Sequence, residues 1–534
     1  MNDFGLSTKE INIVRDILKK YPSIVKVVVF GSRATNTYKV ASDIDLAVWF
    51  DDSANCVDGV TATECYVSSN QQVIGNLLSD FDDSILPYFV DVIDYCSVSS
   101  DALRRNIDRD GKMLYRRGWE EVRLGDVVED IKHGYPFLGE FITNDTTENI
   151  LVTPGNFKIG GGFKAGKFKY YKSDVPEKYI LNAGDVIVTM TDLSKSGDTI
   201  GFSAIVPKSI NCEKYLHNQR IGLVTIGSNN KIDKLFLYWL LRNKDYQKFI
   251  VNTSTGTTVK HTSPKLIKSY QFYMPPPTEQ TAIANILSSL DDKIELLREQ
   301  NKTLEAIAQA IFKHWFIDFN FPDENGNPYK DSGGAMVDSE MGLIPRGWRV
   351  GKLSDEFNIT MGQSPIGNSY NDMQNGMLFF QGRADFGDRF PKNRIYTTAP
   401  KRMAHKFDVL LSVRAPVGDI NIALNDCCIG RGLAAINSIH NSYCYYKILS
   451  VKSSFDIFNG TGTVFGSINK EQLISLQVIV PNIDAVNEFD QIVNKIDQNI
   501  YNNYQQILNL EKLQDLLLPK LMSGDILVPN KRDL

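Results

Sequence analysis

Two long runs of this chain place apolar residues at a spacing of seven. Ile283, Leu290, Leu297, Leu304 and Ile311 form one series, and Leu287, Ile294, Asn301 and Ala308 follow four residues after its first four members. Near the C-terminus Phe489, Ile496, Asn503, Leu510 and Leu517 repeat the arrangement, interleaved with Val493, Ile500, Ile507, Gln514 and Leu521. This is the narrow a/d seam of a coiled coil rather than the broader face of a helix lying on its own domain. It predicts two rods, each about 50 Å long at about 1.5 Å of rise per residue. Each seam carries one Asn, which costs stability there and fixes register or partner.

The stretches ahead of the rods match each other in order. Trp119 opens one with W-E-E-V-R-L-G-D and Trp348 opens the other with W-R-V-G-K-L-S-D. L-N-A-G-D-V-I-V-T-M from Leu181 answers K-F-D-V-L-L-S-V from Lys406, and N-Q-R-I-G-L from Asn218 answers I-G-R-G-L from Ile429. Ser254-Thr255-Gly256-Thr257-Thr258-Val259 answers Gly460-Thr461-Gly462-Thr463-Val464-Phe465, and each is followed by a short apolar strand ending in proline at Pro275 or Pro481. Landmarks repeated in one order, each set closing on a long helix, indicate an internal duplication.

The first 118 residues have a different rhythm. Val27-Val28-Val29-Phe30 is a short apolar strand, followed by the polar loop Gly31-Ser32-Arg33-Ala34. Ser42 to Trp49 alternates as a strand with Asp43 and Asp45 on one face, and Phe89 to Asp94 is a further apolar strand carrying Asp91. Three acids on adjacent strands beside a Gly-Ser turn suit two divalent cations and a triphosphate, because hard cations take carboxylate oxygens and neutralise phosphate.

Composition narrows the class. With 534 residues, 43% hydrophobic and 23% charged, the chain is long enough for several globular domains. No apolar run of about 18 residues is present to span a membrane, and the N-terminus lacks a secretory pattern. The seven cysteines show no metal-ligand spacing, which predicts reduced thiols in the cytoplasm. The net charge of -5 is unevenly spread. Residues 1–118 hold 13 Lys/Arg against 17 Asp/Glu, whereas residues 120–275 hold 20 against 16 and residues 343–480 hold 15 against 10. The duplicated stretches are therefore the basic ones, as expected if they alone meet phosphate. Candidate contacts are Lys158, Lys164, Lys167, Lys169, Asn218, Gln219, Arg220 and Lys260 in the first stretch, and Arg383, Arg389, Arg394, Arg414 and Arg431 in the second.

Residues 119–524 resemble the specificity subunit of type I restriction-modification enzymes. The tract from Pro275 to Phe316, P-P-P-T-E-Q-T-A-I-A-N-I-L through I-F-K-H-W-F, is similar to that family's central spacer helix; F-P-D-E-N-G-N-P-Y resembles its connector and L-L-L-P-K-L-M-S-G-D-I its distal helix. The resemblance implies two target recognition domains that each read half of a bipartite double-stranded DNA target. It also implies two antiparallel helices acting as a ruler, and docking of methyltransferase (M) and restriction (R) subunits that carry the catalysis, in phage defence. The absence of methyltransferase signatures and of a phosphate-binding Walker loop agrees with this.

Gly-Ser-Arg followed by Ser-Asp-Ile-Asp-Leu is similar to the minimal nucleotidyltransferases of the DNA polymerase beta type, and Ile107 to Tyr115 resembles their closing segment. By that likeness Gly31, Ser32 and Arg33 bind nucleotide, while Asp43, Asp45 and Asp91 form the catalytic set and bind Mg²⁺. The substrate is a nucleoside triphosphate, and RNA or protein is the acceptor. The whole is then an α+β multidomain chain. Its expected parts are a nucleotidyltransferase-like α/β domain (1–117), a mixed α/β recognition domain (118–277), a spacer helix (278–320), a connector (321–344), a second recognition domain (345–481), a distal helix (482–524) and a tail (525–534). Three uses stay open: a DNA-specificity subunit with an appended enzyme, an enzyme delivered to DNA or to the restriction complex by the duplicated part, or an adaptor that only binds.

Overall fold

The computed structural model describes residues 4–528 except 52–61, 193, 195, 210–212, 228–230, 257–258, 460–465 and 527. It divides into two compact units. One comprises residues 1–291 with 511–534, the other residues 292–510.

The first unit begins with helix Thr8–Leu18, started by a capping box in which the Ser7 hydroxyl accepts from the Glu10 amide and the Glu10 carboxylate accepts from the Ser7 amide at 2.6 Å. Its buried residues Ile11, Val14, Ile17 and Leu18 recur at helical spacing and cover one face of a sheet. That sheet contains β1 (Ile24–Phe30), β2 (Ile44–Phe50), β3 (Val90–Asp94) and β4 (Lys112–Arg116) in the order β3-β2-β1-β4. β1 is apolar almost throughout because both of its faces are covered: Val27 and Val29 pack with the helix, and Val28 packs with Ala47 and Ile107. β2 and β3 run parallel, joined by helix Ala62–Asp82.

The duplication is visible in strand order. In the first recognition domain a four-stranded sheet runs Ser203–Ile205, Val186–Thr189, Ile221–Thr225, Asp130–His133. In the second the sheet runs Ile420–Ile422, Val409–Ser412, Leu433–Asn437, Asn358–Met361, the same order when each strand is matched by its place along the chain. Each domain also has a five-stranded sheet of matching order. In it Lys214–His217 pairs parallel with Asn149–Val152, as Cys427–Ile429 pairs with Met377–Phe380. Each is closed by a two-stranded ribbon that brings its opening and its proline-ended strand together, Glu120–Arg123 with Gln271–Met274 and Arg349–Lys352 with Gln477–Val480.

The heptad tracts are helices Pro277–Phe312, continued by a π-helical turn at Lys313–Ile317, and Ile483–Met522. Within the first unit Ile283 and Leu287 share a core with Leu518 and Leu521, and Gln514 donates to Asp291 at 3.3 Å. Within the second, Ile294 and Leu297 pack with Ile507, and the two seam asparagines meet, Asn503 donating to Asn301 at 3.0 Å. In both units the partner number falls as the first helix advances, so the pairing is antiparallel. Among the described residues no helix is long and apolar enough to cross a membrane.

Candidate nucleotide and DNA sites

In the N-terminal domain Asp45 and Asp91 are directly paired across β2 and β3, which puts both carboxylates on the same face of the sheet. Asp43 lies two residues before Asp45, at the mouth of β2, where the Ile44 amide donates to the Phe89 carbonyl at 2.9 Å. Gly31 follows β1 with φ +70°, and a Cβ there would stand 2.3 Å from a carboxylate oxygen of Asp45. Glycine is therefore required both by its backbone conformation and by the approach of the acid. Ser32 follows in the single helical turn Gly31–Ala34. Partial burial pushes the Asp45 carboxyl above its ordinary range, and the neighbouring charges of Asp91 and Asp43 add to the shift.

That concentration of negative charge, only partly offset by Arg33, is what a cation would relieve. Among the described residues no three His, Cys, Asp or Glu side chains converge into a complete metal cage. The donor set suits Mg²⁺ all the same, since that ion is held by one or two carboxylates and completes its shell with water and substrate phosphate.

Arg33 does not join this site. Its side chain is buried, and its guanidinium donates to the carbonyls of Phe4 (2.9 Å), Ser42 (2.6 Å) and Asp43 (3.0 Å) while lying over Tyr88. The expectation that it binds nucleotide is corrected accordingly: with its donors directed at the backbone, Arg33 ties the N-terminal segment to the loop that carries Asp43.

The N-terminal domain is also fastened to the rest of the first unit, which nothing in its motif announces. Arg116, at the end of β4, is buried and donates to the Gly524 carbonyl and the Glu279 carboxylate, and the Trp119 indole donates to the same carboxylate at 2.8 Å. Lys26 pairs with Asp525 and Arg15 with Glu121, each at 2.7 Å.

The basic candidates of the recognition domains divide by burial. Gln219 and Arg220 are exposed in the turn between Lys214–His217 and Ile221–Thr225, and Arg431 is exposed in the matching turn of the second domain. Lys164, Lys167 and Lys169 are exposed on the hairpin that leads into strand Lys169–Tyr171. Lys260 is half-buried, opposite Asp192 in a short ribbon. Arg414 is exposed at the end of strand Val409–Ser412. Arg389 is corrected: it is 5% exposed, bonded to Asp497 at 2.6 Å and to the Tyr446 hydroxyl at 3.0 Å, and so serves the core of its unit. In the first of the matching loops Gly256 has φ +97° and Thr255 is bridged to His261, while residues 257–258 and the whole of the second loop, 460–465, lie outside the described residues.

Comparison with known proteins follows the same division. Residues 116–306 and 345–514 match the family described as type I restriction modification DNA specificity domain, and residues 12–119 match polymerase beta, nucleotidyltransferase. A Methanocaldococcus jannaschii protein assigned as the specificity subunit of the type I restriction enzyme MjaX is 31% identical over 77% of this chain and 94% of its own. The HindI specificity subunit of Haemophilus influenzae is 21% identical over 76% of this chain and 99% of its own. Among solved structures, the type I restriction-modification S subunit from M. genitalium is similar at 16% identity, covering 76% of this chain and 96% of that one with a TM-score of 0.47. With two recognition domains of one topology, each followed by a long helix, and a family match over most of its length, this chain belongs to the type I restriction-modification DNA specificity subunits and carries an N-terminal domain of nucleotidyltransferase fold.

Proposed function

We propose that the chain reads a bipartite DNA target for a type I restriction-modification assembly, directing partner methyltransferase and restriction subunits, while its N-terminal domain transfers a nucleoside monophosphate to a separate acceptor. The first clause is carried by the repeated topology, because one fold used twice presents two reading surfaces from a single chain. Exposed Gln219, Arg220 and Arg431 in matching turns, with Arg414 beyond the end of a neighbouring strand, supply the side-chain types that contact base edges and phosphates. Lys164, Lys167 and Lys169 add backbone attraction in the first domain.

The second clause is carried by the in-register pair Asp45 and Asp91 beside Gly31. A bound Mg²⁺ would neutralise the triphosphate and the departing pyrophosphate. The chain's own residues then orient the reaction: the glycine turn lets the Asp45 carboxylate approach the backbone, Ser32 lies in that turn, and Asp91 on the free edge of the sheet is available to accept a proton from the attacking hydroxyl.

Purified chain, wild type and Asp43→Ala/Asp45→Ala, incubated with Mg²⁺, each alpha-labelled nucleoside triphosphate and host RNA or protein, tests the second clause: label transferred by wild type alone supports it and identifies the acceptor by size. Methylome sequencing of cells with and without residues 119–534 tests the first, which fails if the methylated motif is unchanged.

A further inference from the structure

Resting on the DNA-reading function above, we propose that the second recognition domain reads guanine through Arg414, from a cleft at the ends of two of its strands. An open cleft of about 340 Å³ is lined by Gln381, Arg383, Arg394, Arg414 and Gly432. It lies where strands Met377–Phe380 and Val409–Ser412 end and where the turn before Leu433 folds over them. Gly432 makes this closure possible, since a Cβ there would stand 2.6 Å from the Gln381 carbonyl oxygen.

Two of the three arginines are already paired. Arg394 donates through Nε to Asp385 at 3.0 Å, and Asp385 is itself buried; Arg383 pairs with Asp419 at 3.1 Å, an acid that Lys452 shares at 3.1 Å. Arg414 is held by its backbone, bridged to Ser467, and its exposed guanidinium has no acidic partner among the described residues. The cleft therefore holds one guanidinium without a carboxylate partner among the described residues, framed by two that have one. Charges engaged by carboxylates are less available to phosphate, whereas an unengaged guanidinium in a concave site suits a base edge. The planar fork of arginine matches O6 and N7 of guanine, which lysine cannot do.

The first domain differs at two of these positions. Thr191 bridges His261 as Arg414 bridges Ser467, but Thr191 is buried and bonded to His261 Nδ1 at 3.2 Å. The turn Pro154–Asn156 stands where Arg383–Asp385 does and contains no arginine. The two halves of the target should then differ, with guanine required in the half read by residues 345–481.

The test is selection of the full chain on a pool of randomised duplexes followed by sequencing of the bound fraction, for wild type, Arg414→Ala and Arg414→Lys, with Gln219→Ala to identify the other half. Both Arg414 variants should lose the preference for guanine at one position of one half by about tenfold or more, leaving the other half intact and the melting profile unchanged. Retention of that preference by Arg414→Lys, or uniform weakening without a change in sequence, overturns the proposal while DNA reading survives. Absence of any selected sequence with wild type overturns both.

Discussion

A partly buried carboxylate whose neighbours are carboxylates costs stability when ionised, and Asp45 is the clearest case. Its raised pKa comes from partial burial and then from Asp91 and Asp43. In the native state the group holds its proton to higher pH than in the unfolded chain. It therefore costs stability above its native pKa, and that cost disappears as pH falls through it. Asp45→Asn should raise the melting temperature of the N-terminal domain at neutral pH while lowering nucleotide transfer by about 100-fold or more, and transfer by wild type should decline on acidification as the carboxylate is protonated; a variant that melts lower at pH 7 would contradict the repulsion. Arg33→Ala should act in the opposite way, costing about 2 kcal/mol or more because several buried carbonyls lose their donor, measured by denaturant titration. The acids were legible in the sequence because alternation in a strand assigns a face. The role of Arg33 was not, since a motif position does not say whether a long side chain turns toward the ligand or back into the core.

At the scale of elements, the two seam asparagines meet: Asn503 donates to the Asn301 side-chain oxygen, and Asn301 donates in turn to the Ile500 carbonyl. Replacing both by leucine should stabilise the chain by about 1 kcal/mol or more while weakening the definition of register, which denaturation and helix-to-helix crosslinking would resolve. Because Asp291 faces Gln514 and Asn301 faces Asn503, a heptad deletion preserves the seam only if made in both helices. Such a paired deletion shortens the rod by about 10 Å, near the rise of three base pairs. The methylated motif should then lose about three unread positions between its halves; an unchanged spacing would refute the ruler. The heptads were readable from the chain because their period is a property of the helix itself. Which residues face one another across the seam requires the second helix.

For the whole molecule, basic recognition domains within an acidic chain make DNA affinity a matter of salt. If six or more phosphates are neutralised, binding should fall by about 10³-fold between 50 and 200 mM salt, and a flat dependence in a titration would exclude the lysine-rich hairpin and the turns as the contact surface. The N-terminal domain is not simply appended to this machinery. Arg116 is buried against Glu279 and the Gly524 carbonyl, so Glu279→Ala should leave a buried guanidinium without its carboxylate and cost about 3 kcal/mol. Unfolding of the full chain with and without the substitution measures this. A loss below 1 kcal/mol would mean that the domain is only loosely held.

The two rods and the glycine turn were determined by the sequence alone, because each rests on a local period or on neighbours close along the chain, and so was the duplication, because its landmarks recur in one order. The pairing of the asparagines, the burial of Arg33 and Arg389, the Arg116 clasp and the arginine cleft were decided only by the tertiary structure. Each depends on contacts between segments far apart along the chain. A basic residue becomes a reading group, a fastener or part of a core according to which distant carboxylate or carbonyl the fold brings to it.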